Sequence, residues 1–352
     1  MTTKERFTRM YEHRDADRVP IVDVPWEGTL LRWKQEGMSA NVDWRDFFEV
    51  DKYEIIFVDN SPRYKRKIIE ENDLYVISTT EWGVTIKNFK VPDSTPEFLD
   101  YTVTTPEAWE KAKALMKPDR SRIDWDYLKT NFPKWKAEGR WIQGLFWFGF
   151  DVTHAWMSGF DTIIYALIEE PEWIKDIFKT FLDSSIALFD MIWEEGYHFD
   201  CVAIWDDMGY KGTTFFSNEI YAELLQPYHK KAIEWAHNHG IKAHLHSCGN
   251  VMQRIPQLVE IGLDSLNPIE IKAGMDIKAL KRDYGDRLVL HGGADALYMD
   301  KTEIIIPFIE EIVPIVKEKG GYIFSSDHTI PNTVGLETYR LIVETVKKIG
   351  AY

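Results

Sequence analysis

Eight short β-type runs alternate with longer amphipathic helical patterns along this 352-residue chain. Most of the runs are rich in β-branched and aromatic residues and lack strict polar–apolar alternation, which is typical of parallel strands buried on both faces. Eight parallel βα units predict an α/β fold of the closed (β/α)8 TIM barrel type, and a doubly wound sheet is the competing architecture. The predicted strands span residues 19–24, 53–58, 141–148, 199–205, 241–246, 265–268, 288–290 and 322–324.

We predict a single barrel domain over residues 1–352, with one insertion. The predicted helices span residues 4–13, 171–196, 217–239, 251–261, 276–284 and 301–319. Residues 60–139 interrupt the alternation between the second and third strands, and within them residues 73–78 and 81–86 predict an antiparallel hairpin, followed by Pro92 and Pro96. We expect this insertion to cover one mouth of the barrel.

The composition excludes several classes of partner and compartment. A formal net charge of −15 argues against nucleic acid and against anionic membrane surfaces. The two cysteines, Cys201 and Cys248, form no disulfide framework, which favours a reducing compartment. The chain has no 18-residue apolar run and no signal peptide, so we expect a cytoplasmic protein. The oligomeric state is left open.

A His-x-Cys pair ends the fifth predicted strand and predicts a metal site. Residues two apart on a strand point to the same face, so His246 and Cys248 can direct a nitrogen and a sulfur to one point. These are donors that zinc prefers, and three protein ligands with one open position are typical of catalytic zinc. Asp327 and His328 are candidates for the third ligand, while His244, one layer deeper in the same strand, is expected to pack in the core.

Other polar and aromatic residues follow the predicted strands, where the chemistry of such barrels is located. Asp206, Asp207 and Glu270 are candidate catalytic acids, although each alone is more typical of a helix cap or a core hydrogen bond. Because Asp206 and Asp207 are adjacent, only one of them can face the barrel axis. The aromatic and acidic candidates for a substrate pocket are Trp26, Glu27, Trp147, Phe148 and Trp205. The histidines expected to face solvent are His13, His198, His229, His237 and His239.

Seven short motifs are spread along the chain, and they are Arg6-Phe7, Asp17-Arg18-Val19-Pro20, Asp206-Asp207-Met208-Gly209, His246-Ser247-Cys248-Gly249-Asn250, Asn267-Pro268-Ile269-Glu270, Ala273-Gly274-Met275-Asp276 and Gly292-Gly293-Ala294-Asp295. Through these motifs the chain resembles, over nearly its full length, the uroporphyrinogen decarboxylase superfamily. The resemblance implies a (β/α)8 barrel and one of two chemistries, which are decarboxylation of a porphyrinogen without metal, or methyl transfer to or from a corrinoid.

The corrinoid branch includes methylcobamide methyltransferases and the methyltransferases of O-demethylase systems. It binds zinc through a His-x-Cys pair and a distant third residue, often cysteine. Here His246 and Cys248 match the pair, and the resemblance places His328 first and Asp327 second as the third ligand. The decarboxylases carry arginines after the first strand, where this chain has only Arg32 beside the acidic Glu27.

The sequence therefore favours a zinc-dependent methyltransferase. We expect Zn²⁺ in the barrel, a corrinoid (cobalamin) carried by a partner protein, and a small methylated substrate such as an aromatic methyl ether. With one thiolate on zinc we expect demethylation of that substrate rather than methylation of a thiol. The alternatives are a uroporphyrinogen decarboxylase, a methylcobamide:thiol methyltransferase and a non-catalytic binding or chaperone module for a corrinoid or tetrapyrrole.

Overall fold

Seven parallel strands form one curled sheet whose spatial order follows the chain. The computed structural model describes residues 1–91 and 93–352, so Pro92 lies outside the described residues. The sheet has the order β1-β6-β7-β10-β11-β12-β13. The strands are β1 (Tyr53–Ile56), β2 (Lys67–Glu71), β3 (Tyr75–Thr79), β4 (Val84–Phe89), β5 (Glu97–Tyr101), β6 (Trp141–Phe146), β7 (Cys201–Trp205), β8 (Gly209–Tyr210), β9 (Thr213–Thr214), β10 (Lys242–His246), β11 (Ser265–Asn267), β12 (Val289–His291) and β13 (Tyr322–Ile323).

Helices follow most of these strands and cover the outer face of the sheet. They are α1 (Thr3–Tyr11), α2 (Glu27–Gln35), α3 (Trp44–Phe47), α4 (Pro106–Leu115), α5 (Trp125–Ala137), α6 (Phe160–Glu169), α7 (Pro171–Glu194), α8 (Asn218–Leu224), α9 (Gln226–Asn238), α10 (Ile255–Glu260), α11 (Ile277–Tyr284), α12 (Thr302–Val316) and α13 (Leu336–Ile349). A π-helix, Val152–Ser158, follows β6. All six residues of β6 are buried, as expected of a central parallel strand.

The two edges of the sheet are joined through the segment around Ile21. Ile21 forms a parallel bridge with Phe324, and its carbonyl accepts a hydrogen bond of 2.9 Å from the Asp51 N–H. The predicted strand 19–24 is thus reduced to the isolated bridge at Ile21, because Pro20 and Pro25 have no N–H to donate to a ladder. The sheet curls as in a TIM barrel, with seven strands in place of the eight predicted.

The other predicted elements occur with small shifts, apart from one helix. The seven remaining strands end within two residues of their predicted bounds. The helix predicted over residues 217–239 is divided into α8 and α9 at Leu225. Pro227 explains the break, because its nitrogen cannot donate to the carbonyl four residues earlier.

A second, antiparallel sheet with the order β2-β3-β4-β5 lies between β1 and β6 in the chain. The predicted hairpin corresponds to β3 and β4, which pair with Thr79 opposite Thr85. The sheet region packs beside the end of β6, since the Trp82 ring lies 5.6 Å from the Trp147 ring. That the insertion covers the barrel mouth stays a prediction. Among the described residues, no helix has both the length and the apolar character needed to span a membrane.

Candidate metal centre at the carboxyl ends of the strands

Three side chains of different chemistry meet where β7 and β10 end. Nε2 of His246 lies 3.4 Å from Sγ of Cys248 and 3.7 Å from Oδ1 of Asp207. The same Asp207 oxygen accepts a hydrogen bond of 2.7 Å from the Cys248 N–H. The three donor atoms all lie within 4.8 Å of one another.

A close approach of two glycine backbones brings Asp207 beside Cys248. Gly249 has φ +82°, a conformation that favours glycine, and a Cβ there would lie 2.1 Å from the carbonyl carbon of Gly209. The loops after β7 and β10 therefore touch through their main chains, and any side chain at Gly249 would separate them.

Asn267 fixes the orientation of the His246 ring. The Asn267 amide nitrogen donates to the carbonyl of His291 at 3.2 Å, which directs its Oδ1 to Nδ1 of His246 at 2.6 Å. Because an amide oxygen only accepts, Nδ1 carries the proton and the lone pair of Nε2 faces Cys248 and Asp207. A second partner that sets the tautomer in this way is typical of metal-binding histidines.

The donor set fits a zinc ion. Tetrahedral zinc with bonds of about 2.0–2.3 Å separates its ligand atoms by roughly 3.3–3.8 Å, which matches the two distances from Nε2 of His246. Burial raises the pKa of the Cys248 thiol well above its usual value, and the carboxylates of Asp207 and Glu270 raise it further. A bound cation would offset both effects by stabilising the thiolate.

The third member of this group differs from the sequence prediction. Oδ1 of Asp327 accepts a hydrogen bond of 2.9 Å from the Ala296 N–H and lies 3.7 Å from Nζ of Lys272. His328 lines the same cavity as His246, but neither it nor Asp327 belongs to the group of three donors. The reason is a tertiary contact, because the loops after β7 and β10 touch and put Asp207 next to the pair.

Asp206 faces away from the cavity, which removes it from the candidate catalytic acids. It is fully buried, with Oδ2 2.9 Å from Nε2 of His229 and Oδ1 accepting from the Asp151 N–H at 2.8 Å. Burial raises the pKa of Asp206, and its hydrogen bond with His229 opposes that effect. His229, predicted to face solvent, is 1% exposed and also bonds Tyr221 through Nδ1 at 3.0 Å.

Glu270 supports the Cys248 loop. One of its carboxylate oxygens accepts from the Gly249 N–H, and the other lies 3.4 Å from Nζ of Lys272. This places an acid–base pair beside the three donor side chains, in the neighbourhood that the sequence predicted for Glu270.

Of the predicted substrate-pocket residues, Trp205 lines the cavity beside the donor group, with its ring 6.2 Å from that of His246. Phe148 does not, because it is fully buried and its ring packs 5.5 Å from that of His229. Trp147 is tied to Asp151 by a hydrogen bond of 3.0 Å and lines a separate groove. Trp26 precedes α2 and is half-buried, and Glu27 is exposed; neither lines the cavity.

The cavity itself has a volume of about 230 Å³ and extends from the donor group into the barrel. His244 lies in its deeper part, where Nδ1 is 3.0 Å from Oγ of Ser265, and burial lowers its pKa well below the usual value. Burial likewise lowers the pKa of His291 to about 3, so both rings are neutral at pH 7. No lysine or arginine occurs among the described residues that line the cavity.

The structural roles of three residues at or near the site were not identified from the sequence. Asn267 was noted within a motif but not as the partner of His246, and Gln143 was hidden inside an apolar strand. A signal did exist for His229, since it shares the buried face of α9 with Ala232, Ile233 and Ala236 at helical spacing.

Comparison with known proteins agrees with this architecture. Residues 91–349 match the sequence model of the uroporphyrinogen decarboxylase (URO-D) family. A solved structure described as a methyltransferase from Methanosarcina mazei is similar, with a TM-score of 0.64, 15% sequence identity and 99% of each chain covered. At that identity the likeness shows a shared fold. No curated protein sequence matches the chain.

Proposed function

Because the chain belongs to the uroporphyrinogen decarboxylase family, we propose that it uses the family's barrel for methyl transfer between a small methylated substrate and the cobalt of a corrinoid protein. The observation that carries this proposal is the group of a histidine nitrogen, a thiol and a carboxylate at the carboxyl ends of β7 and β10. A metal-free decarboxylation has no use for such a donor set. The fold shared with a described methyltransferase is consistent with the proposal.

In this proposal His246, Cys248 and Asp207 hold zinc, with the remaining position open to the cavity. When bound, zinc would supply a Lewis acid for the heteroatom that carries the methyl group. A carboxylate oxygen is a harder donor than a second thiolate would be and transfers less charge to the metal. Such a site favours demethylation of an ether over activation of a substrate thiol.

The protein's own residues position the reaction and manage its proton. Asn267 keeps the Nε2 lone pair of His246 directed at the donor group. Trp205 forms an aromatic wall beside it, suited to a methoxylated ring. Glu270 accepts the Gly249 N–H and lies 3.4 Å from Nζ of Lys272, so it acts as a carboxylate that holds the Cys248 loop and Lys272, and the Lys272 ammonium is the group of this pair that can give a proton to the departing oxygen.

The competing activity is decarboxylation of uroporphyrinogen, the reaction after which the family is named. It needs cations for a polycarboxylate, yet the described cavity lining has none. Arg32, the arginine that follows the first predicted strand, is bonded to Glu36 at 2.6 Å and to the carbonyls of Asn332 and Thr333.

Anaerobic absorption spectroscopy of a reduced corrinoid protein tests the proposal. We expect cobalt methylation with at least one member of a panel of methyl ethers, methylamines and methyl thioethers, and no formation of coproporphyrinogen from uroporphyrinogen. If instead methylcobalamin is consumed only when a thiol is added, the enzyme is a thiol methyltransferase. Zinc-containing protein that acts on none of these substrates and binds corrinoid or tetrapyrrole would be a binding module.

A further inference from the structure

The floor of the cavity is polar and its polar groups are free to bind a ligand. Gln143 is 5% exposed and His291 is 8% exposed, and both line the cavity together with Tyr53. Neither side chain is among the fully buried unpaired polar atoms of the described residues, so their polar atoms open into the cavity, where water or a bound molecule can pair with them.

The charged side chains that line the described cavity are acidic. Asp23 and Asp327 line its wall, and Asp207 lies at its rim. Lys272 is the cation beside this rim, and it is shared between Glu270 at 3.4 Å and Asp327 at 3.7 Å. A carboxylate or sulfonate at the floor of the cavity, at the end away from the proposed zinc, would thus lose its hydration without gaining a counter-charge from the described side chains that line it.

We infer that this enzyme selects uncharged methylated substrates, and that Gln143 recognises the polar end of the molecule that lies away from the methyl group. The inference rests on the proposed function and specifies its substrate class. An amide side chain both donates and accepts, so it fits a substrate hydroxyl or amide. The volume of about 230 Å³ is below the usual range for drug-sized ligands and suits a single ring or a smaller molecule.

Pairs of nearly isosteric compounds that differ by one charge provide the test. We would compare 3-methoxybenzamide with 3-methoxybenzoate, and methoxyacetamide with methoxyacetate, on the zinc-loaded enzyme. Calorimetry would give the dissociation constants, and cobalt methylation would give kcat/KM. We expect the amide of a pair to be preferred at least about 30-fold, because a like charge near a carboxylate at an effective dielectric constant near 20 is disfavoured by that order.

A change of one side chain should reduce the preference. Gln143→Lys places a cation at the floor, and we expect the ratio of benzoate to benzamide affinity to rise at least about tenfold. Gln143→Met is the matched control, because it keeps the length without the charge; it should weaken benzamide binding and leave benzoate binding poor. Zinc content and the unfolding midpoint of each variant verify that the fold is retained.

The outcomes separate this inference from the proposed function. Amide binding without any cobalt methylation would remove the methyltransferase proposal and leave the charge selectivity in place. Methyl transfer from benzoate as efficient as from benzamide would overturn the inference while the function stands. Absence of binding by all four compounds would overturn it as well.

Discussion

The two aspartates that follow β7 are neighbours in the chain, yet they serve opposite sides of the sheet. Asp206 faces the helix layer, where it pairs with His229 on α9 and accepts the Asp151 N–H. Asp207 faces the cavity, beside His246 and Cys248. Both regions combine a carboxylate with an imidazole, but one pair is fully buried and the other is half-exposed at the rim of a cavity.

The two sides differ in whether their polar atoms all have hydrogen-bond partners in the protein. On the helix side the carboxylate oxygens of Asp206 and both ring nitrogens of His229 have protein partners. On the cavity side Nδ1 of His246 is bonded, while Nε2 points at the donor group. We therefore expect changes on the helix side to affect stability and changes on the cavity side to affect metal binding.

The largest effect is expected for the cavity side. Cys248→Ala and His246→Ala should each abolish stoichiometric zinc, because each removes one of three proposed ligands and the remaining two hold zinc poorly. Elemental analysis of protein purified without chelator measures this. Cys201→Ala is the matched control, since Cys201 is buried against Tyr11 and should keep zinc. Wild-type protein without zinc would contradict the cavity-side assignment.

Substitutions on the helix side should lower the free energy of unfolding. His229→Ala leaves the fully buried Asp206 without its partner, and we expect a loss of about 3–5 kcal/mol in the free energy of unfolding. Denaturant titrations of His229→Ala, Asp206→Ala and the double variant form a cycle, in which the double variant should cost clearly less than the sum. Zinc content per folded molecule should stay near that of the wild type. A folded His229→Ala protein devoid of zinc would erase the distinction between the two sides.

Substitutions of the candidate third ligands should change zinc affinity less, and they distinguish Asp207 from His328 and Asp327. Asp207→Asn should weaken zinc binding about 10- to 100-fold, since it replaces a charged ligand by a neutral amide of the same shape. His328→Ala and Asp327→Asn should change the affinity less. Competition with a chromogenic chelator measures all three. A loss in His328→Ala that exceeds the loss in Asp207→Asn would restore the ligand set expected from the sequence.

Local periodicity predicted the parts of the site that depend on one strand. Alternation predicted that His246 and Cys248 share a face, and their donor atoms do lie 3.4 Å apart, although β10 ends at His246 and Cys248 lies in the loop that follows. The third ligand could not be found in this way. Asp207 reaches the pair only because the loops after β7 and β10 touch at Gly209 and Gly249, a contact between distant parts of the chain.

The same distinction accounts for the fold. Apolar runs in the sequence identified seven strands, because parallel strands that are buried on both faces consist mostly of apolar residues. The segment around Ile21 has a similar composition, but its prolines reduce it to bridges. Phe148 was misassigned because β6 ends at Phe146, after which strand alternation no longer sets the direction of a side chain. It packs instead against His229.

The smallest expected effect concerns an imidazole that belongs to neither pair. His154, on the π-helix after β6, packs against Phe150 with ring centroids 4.4 Å apart, and its buried Nε2 has no partner among the described residues. Burial lowers its pKa to about 4, whereas an unfolded chain has a histidine pKa near 6.5.

Above pH 6.5 the His154 ring is neutral in both the folded and the unfolded state. As the pH falls from 6.5 toward 4, the unfolded chain binds a proton that the folded protein does not, so stability is lost. We expect the titration of His154 to lower the free energy of unfolding by about 2 kcal/mol at pH 5 relative to pH 7.5.

His154→Phe removes this titration. The free energy of unfolding of the variant minus that of the wild type, measured with chelator present, should therefore be larger at pH 5 than at pH 7.5 by that amount. Parallel stability curves for the two proteins would show that His154 takes up a proton in the folded state, and hence that the π-helix region is more open to water than the cavity side.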